Sequence, residues 1–87
     1  MWHIYILKCK GGSLYTGITN DLNRRLDLHN QAKASKYTRA HLPVKLVFSK
    51  QCQSKSNALK SEAQIKGWPR AKKLALIAGN IELPDLL

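Results

Sequence analysis

The segment Trp2–Cys9, rich in β-branched and aromatic residues and followed at once by Gly11-Gly12-Ser13, constrains the fold more than any other part of the chain. The first stretch has the composition of a strand and the glycines that of a hairpin turn. A second strand over about residues 13–18 is therefore expected to fold back on the first. Loop length then decides which side chains share a face, because side chains alternate along a strand with a period of two. A three-residue loop centred on Gly11 sets Cys9 against Ser13 and Leu7 against Tyr15, which makes Tyr5 and Tyr15 diagonal neighbours on one face. A two-residue loop would put the two phenols on opposite faces.

Beyond the hairpin, Thr19, Asn20 and Asp21 offer N-cap chemistry for a helix running to about Asn30, with Leu22 and Leu26 as its apolar stripe. At about 100° per residue, Arg25 and His29 flank that stripe one turn apart, while Arg24 points nearly the other way, to solvent. The polar and basic residues 31–42 read as a loop. Pro43 opens a third strand, Val44–Cys52, on which Val44, Leu46 and Phe48 are expected to share a face. Ser54 or Ser56 can cap a second helix reaching about Gly67. Trp68-Pro69 breaks it before a third helix from Arg70 to Ala78, which Gly79-Asn80 ends. The expected order is β-β-α-β-α-α, an α+β domain over residues 1–80 with helices packed on a three-stranded sheet. Residues 81–87 form a tail too short to assign, with room simply to lie along the surface. A chain of 87 residues has room for one core and no large interior pocket.

Charge narrows the function. Fifteen Lys and Arg against five Asp and Glu give a net charge of +10, a density that points to an anionic partner and first of all to nucleic acid. The plainer alternative is a solvated basic surface that keeps the protein soluble. Membrane binding needs an apolar face opposite the basic one or a long apolar run, and apolar runs of only a few residues exclude a spanning segment. With no signal-like start, the sequence reads as cytoplasmic. Cys9 and Cys52 are far apart and lack CxxC spacing, so they read as reduced packing residues.

Glu62 is the most informative single residue. The second helix puts Ala58, Leu59, Ala63 and Ile65 around it on the wheel, so a carboxylate is expected inside an apolar stripe. Such burial is costly unless a metal, a cation or hydrogen bonds compensate it. An i, i+4 pair with Lys66 is one explanation. The other is a metal: the small alanines leave room for a hydrated Mg²⁺ or Mn²⁺, which commonly binds through one protein carboxylate plus water and substrate phosphate.

His3-Ile4-Tyr5 on the first strand, Tyr15-Thr16-Gly17 on the second, Arg25 ten positions after Tyr15, His29 one turn later and Glu62 on a later helix together resemble the GIY-YIG nucleases over about residues 2–80. Lys36-Tyr37-Thr38-Arg39, Leu42-Pro43-Val44 and Glu62-Ala-Gln-Ile-Lys66 are similar to the short, stand-alone bacterial branch of that family, related to the N-terminal nuclease domain of the excision-repair protein UvrC. His3 stands in place of the family's first glycine and Thr16 in place of an isoleucine; neither change removes a reactive side chain. The family's late asparagine has only Asn80 as a rough positional match.

The resemblance implies a divalent-metal-dependent endonuclease acting on nucleic acid, DNA in the first instance, with Tyr5, Tyr15, Arg25, His29 and Glu62 as catalytic residues. Tyr5 would activate the attacking water, which requires nearby cations to lower its phenol pKa from about 10. Tyr15 would orient the water or donate to the phosphate, and Arg25 would grip two phosphate oxygens with its planar fork. His29 would assist as an acid, a base or a phosphate ligand. Glu62 would hold Mg²⁺ or Mn²⁺ to stabilise the leaving group. Binding falls to Lys33, Lys36, Arg39, Lys66, Arg70, Lys72 and Lys73, contacts that give salt-sensitive affinity with little sequence information. Tyr37 and Trp68 could stack on bases of single strands or flaps. Two non-catalytic alternatives remain: a nucleic-acid-binding module with the same fold, and an adaptor whose basic face docks an acidic protein.

Overall fold

β1 (Trp2–Lys8) is the middle strand of a three-stranded antiparallel sheet of order β2-β1-β3, with β2 spanning Leu14–Thr19 and β3 Lys45–Cys52. The computed structural model describes residues 1–83; α1 (Leu22–Asn30) and α2 (Lys36–Arg39) lie between β2 and β3, and α3 (Lys55–Lys66) and α4 (Arg70–Ile77) follow. Ile4, Tyr5, Ile6 and Leu7 are buried in succession, as a strand covered on both faces must be.

The hairpin adopts the three-residue loop. Leu7 pairs with Tyr15 and Tyr5 with Gly17. The Cys9 N–H donates to the Ser13 carbonyl at 2.8 Å, and the Gly12 N–H closes the turn on the Cys9 carbonyl at 2.9 Å. Gly11 and Gly12 have φ of 89° and 94°, a region that glycine enters without steric cost. Tyr5 and Tyr15 consequently share a face.

That face carries one core and the opposite face another. Tyr5, Leu7, Cys9 and Val44 are buried with Tyr15, Leu22, Leu26, Leu42 and Leu46, which places α1 over this side. Ile4 and Ile6 pack on the other side with Ile65, Leu76 and Leu83, under α3 and α4. Fully buried side chains such as Ile4, Ile6 and Ile65 contribute about 1.5–3 kcal/mol each relative to exposure.

Four expectations need correction. First, Val44, Leu46 and Phe48 do not share a face. The ladder pairs Ile6 with Phe48 but Leu7 with Leu46, so Val47 is an extra residue at a bulge, and Phe48 joins the Ile4/Ile6 core. Second, residues 31–42 are not all loop. Ser35 caps the single-turn helix α2 by accepting from the Tyr37 N–H at 3.2 Å. Third, the buried side of α3 is Ala58, Ser61 and Ile65, whereas Leu59 and Ala63 are exposed and Glu62 stands at the margin. Fourth, the described part of the tail is not superficial, because Leu83 is buried and Ile81 packs beside it. The remainder of that tail, residues 84–87, lies outside the described residues.

The other ends follow their local chemistry. Asp21 caps α1 by accepting from the Arg24 N–H at 3.1 Å, and Ser54, not Ser56, caps α3. At the far end of α1, Asn30 Oδ1 accepts from the Val44 N–H at 3.1 Å and so fixes the entry to β3. Cys9 and Cys52 are free thiols.

Candidate active site

Four of the sequence-predicted groups, Tyr5, Tyr15, Arg25 and His29, come together on the α1 side of the sheet. The Tyr5 hydroxyl lies 2.9 Å from His29 Nε2. The Tyr15 ring meets the His29 ring edge to face, with centroids 5.2 Å apart. This follows from the hairpin register together with the helical phase that brings Arg25 and His29 to the sheet side of α1. Arg24, as its phase requires, is exposed. His29 is 1% exposed, and its Nδ1 lies 2.8 Å from Thr38 Oγ1.

Gly17 completes the geometry. A Cβ built there would stand 2.5 Å from the Tyr5 hydroxyl oxygen, so the phenol occupies space that only glycine leaves open. Tyr5 could not reach His29 along this path past any other residue.

Arg25 is half-buried beside these rings, and among the described residues no hydrogen bond or ion pair engages its guanidinium. Its charge acts on both Tyr5 and His29. A half-buried guanidinium facing phenols and an imidazole, with no carboxylate of its own, is poised for an anion from outside. Glu62 lies within electrostatic reach of Tyr5 from the other side. Its side chain is 21% exposed and meets Lys66 Nζ at 3.6 Å from Oε2, a loose and solvated i, i+4 pair rather than a sealed one.

The ionisation of the site departs from expectation at Tyr5. Burial, and then the neighbouring Tyr15, push the Tyr5 phenol well above its ordinary value; Arg25 acts downward but does not outweigh them, and Glu62 adds to the rise. Tyr5 is therefore a protonated phenol and not a pre-formed phenolate. Burial, and then the Arg25 charge, hold the His29 imidazolium below its usual pKa, so the ring is neutral near pH 7.

For a metal, the donors are sparse. Among the described residues no group of three or more His, Cys, Asp or Glu side chains is placed to hold an ion. Glu62 alone fits the hydrated mode of Mg²⁺ or Mn²⁺, in which one carboxylate serves beside water and substrate oxygens, once Lys66 moves off.

The expected binding residues divide. Lys33, Lys36 and Arg39 line an open concavity with Ala32, Ala34 and Ser35, next to the site through α2. Arg70 is engaged elsewhere, its Nη2 donating to the Gly12 carbonyl at 2.8 Å. Lys66 pairs with Glu62, and Lys72 lies 4.3 Å over the Trp68 ring, which packs against the Ile4/Ile6 core. Lys73 is half-buried on α4. Tyr37 is 42% exposed, nearly parallel to Tyr15 at 6.3 Å and stacked on His41 at 4.5 Å. Asn80 is an exposed helix-end residue whose N–H donates to the Ala75 carbonyl. The sequence alone does not reveal Thr38 as a neighbour of His29. Its one local signal is the Ser35 cap, which turns the basic stretch into helix and directs Thr38 inward.

The sheet order and the hairpin register are in keeping with a GIY-YIG catalytic domain. The model of that family matches residues 1–75, and the chain belongs to the family. Its relatives lie among the UPF0213 proteins. It is 49% identical over 75 residues to UPF0213 protein SAG0778 of Streptococcus agalactiae, covering 86% of this chain and 85% of that one. With a UPF0213 protein of Staphylococcus aureus the identity is 49% over 74 residues, covering 85% and 90%. The solution NMR structure of UPF0213 protein BH0048 from Bacillus halodurans is similar at a TM-score of 0.58 and 42% identity, covering 90% of this chain and 84% of that one. The protein EF2693 from E. faecalis superposes at 0.60 with 32% identity, covering 98% and 92%. A domain of this nuclease superfamily implies a nucleic-acid substrate, and no helix among the described residues is long and apolar enough to cross a membrane.

Proposed function

We propose that the chain is a divalent-metal-dependent endonuclease that hydrolyses phosphodiester bonds in DNA, with single-stranded or branched substrates favoured. The observation that carries this reading is the juxtaposition of a phenol hydrogen-bonded to a neutral histidine with a guanidinium that has no ion-pair partner among the described residues.

Hydrolysis needs a water deprotonated as it attacks, charge stabilised on the phosphorus oxygens and help for the leaving oxygen. A buried phenol is a poor base by itself, but Tyr5 need not ionise beforehand. Its oxygen takes a proton from the water while its own proton passes to His29 Nε2, so no free phenolate accumulates and the imidazole becomes the net acceptor. Arg25 holds two non-bridging oxygens. Tyr15, on the same face, orients the water or donates to the phosphate. Glu62 would hold the metal, which supplies charge neutralisation at the leaving oxygen when bound. Lys33, Lys36 and Arg39 steer the backbone toward the site, and the exposed Tyr37 ring suits stacking on an unpaired base.

The ion pair between Glu62 and Lys66 is what a binding module without catalysis would also contain. The two readings separate when purified protein is incubated with single-stranded, duplex and branched DNA in Mg²⁺ or Mn²⁺. Cleavage abolished by chelator, and lost in Glu62→Ala and Arg25→Ala while binding persists, is the expected result. Binding without cutting across every substrate and metal would leave the non-catalytic module as the answer.

A further inference from the structure

Resting on the nuclease reading for its catalytic consequence, we infer that Thr38 is a positioning residue that decides which ring nitrogen of His29 carries the proton. His29 and Thr38 are 1% and 0% exposed, so water does not satisfy their polar atoms. Three donors and four acceptors are in play. The donors are the Tyr5 hydroxyl, one ring N–H of His29 and the Thr38 hydroxyl. The acceptors are the second ring nitrogen, the Tyr5 oxygen, Thr38 Oγ1 and the Ser35 carbonyl, which lies 3.3 Å from Thr38 Oγ1.

One arrangement gives every donor an acceptor. Thr38 donates to Ser35, His29 Nδ1–H donates to Thr38 Oγ1, and Tyr5 O–H donates to the lone pair on His29 Nε2. In the reverse arrangement Thr38 donates to Nδ1 and Nε2–H donates to the phenol. The buried Tyr5 hydroxyl then has no acceptor among the described residues, and Thr38 turns only lone pairs toward the Ser35 carbonyl. Donor satisfaction therefore selects the Nδ1–H tautomer. This is the form in which Nε2 can receive the Tyr5 proton.

The placement of Thr38 gives this a further consequence. Thr38 belongs to α2, the same single turn that carries Lys36 and Arg39, and α2 is held by the Ser35 cap and by an Ala40 N–H to Lys36 carbonyl bond at 3.3 Å. The basic stretch and the orientation of His29 are thus one mechanical unit: a change that unwinds α2 also frees the imidazole.

The test is ¹⁵N-resolved imidazole NMR on the full chain without DNA, paired with cleavage kinetics. In the parent protein Nδ1 is expected to carry the proton and Nε2 to show the shift of an unprotonated nitrogen. Thr38→Val keeps the shape but removes the oxygen. It is expected to lose the tautomer preference and to lower kcat roughly 10- to 100-fold with KM little changed, the scale seen when an orienting partner of a functional histidine is removed. Thr38→Ser is expected to restore both. A parent spectrum with the proton on Nε2, or Thr38→Val with an unaltered tautomer, overturns the assignment. Should Thr38→Val fail to fold, the parent and Thr38→Ser spectra still decide it. Absence of cleavage in every variant sinks the nuclease reading alone, because the tautomer is read on the free protein.

Discussion

The ring of Tyr5 lies across Gly17, its partner on the neighbouring strand, and fills the volume that a Cβ would take. Gly17→Ala must displace either the phenol or the β2 backbone. Overpacking of this kind costs about 1–3 kcal/mol, and the displaced hydroxyl loses His29. A lower denaturation midpoint together with a large fall in cleavage is expected; a variant as stable and active as the parent would show that the phenol position is not constrained by Gly17.

Among the described residues Arg25 has no hydrogen bond or ion pair to lose. Arg25→Lys keeps the charge but not the planar fork, so kcat is expected to fall on the order of 100-fold, the range for removing one transition-state donor. Stability should stay within about 0.5 kcal/mol, as for substitutions that break no folded-state interaction. A large drop in melting temperature instead would assign Arg25 to the fold.

The acid limb of the pH–rate profile should report His29. Its pKa is held below the usual 6.5, so cleavage is expected to rise through that lowered value and to be level around neutrality. Stability shares the sign. Below pH 6.5 the unfolded chain binds a proton that the folded chain does not, so stability declines from there down to the folded pKa and then levels off. The raised Tyr5 pKa acts at the other end, because above pH 10 the unfolded chain releases a proton that the folded chain keeps. Thermal melts of the parent and His29→Gln measure the acid contribution. An acid limb at or above pH 6.5 that persists in His29→Gln would assign it to another group.

On the proposed reading, Lys66 would compete with a metal for Glu62. Removing it in Lys66→Ala is expected to lower the Mg²⁺ or Mn²⁺ concentration for half-maximal cleavage several-fold, while stability changes by no more than about 0.5 kcal/mol, as for an exposed i, i+4 pair. Metal titrations of cleavage supply the measurement; an unchanged midpoint would mean that the lysine does not gate the carboxylate.

Two sets of cations should separate in binding assays. Replacing Lys33, Lys36 and Arg39 with alanine is expected to flatten the salt dependence of DNA affinity by roughly 0.7–0.9 in slope for each phosphate no longer neutralised. Arg70→Ala should act mainly on the hairpin turn through its bond to the Gly12 carbonyl, at about 1 kcal/mol of stability. Equal changes in salt slope from both would put Arg70 on the substrate path.

What is legible in the sequence is whatever local chemistry determines. The Gly11-Gly12 turn carries the hairpin register and with it the shared face of Tyr5 and Tyr15. Helical phase separates Arg25 from Arg24, and residues at the helix starts mark α1, α3 and α4. The features that escape depend on partners distant in sequence. The bulge at Val47 arises where β3 must satisfy Leu7 on one face and Ile6 on the other, a conflict invisible in a strand read by itself. A helical wheel turns Leu59 and Ala63 inward because it gives angles but not where the sheet ends. Thr38 is inconspicuous because a four-residue helix has too few turns to show a period, and its inward partner is nine positions away. A lowered Tyr5 pKa is the natural expectation because cations are evident in a sequence, whereas burial is not.

The relay runs between elements of very different durability. Tyr5 sits on the middle strand, bonded to a neighbour along each edge, while Thr38 sits on a helix of four residues. Amide exchange should accordingly be slow at Tyr5 and fast at the turn that holds Thr38. On the proposed reading, the domain would be silenced by loosening one small piece of its surface, with the rest of the molecule left standing.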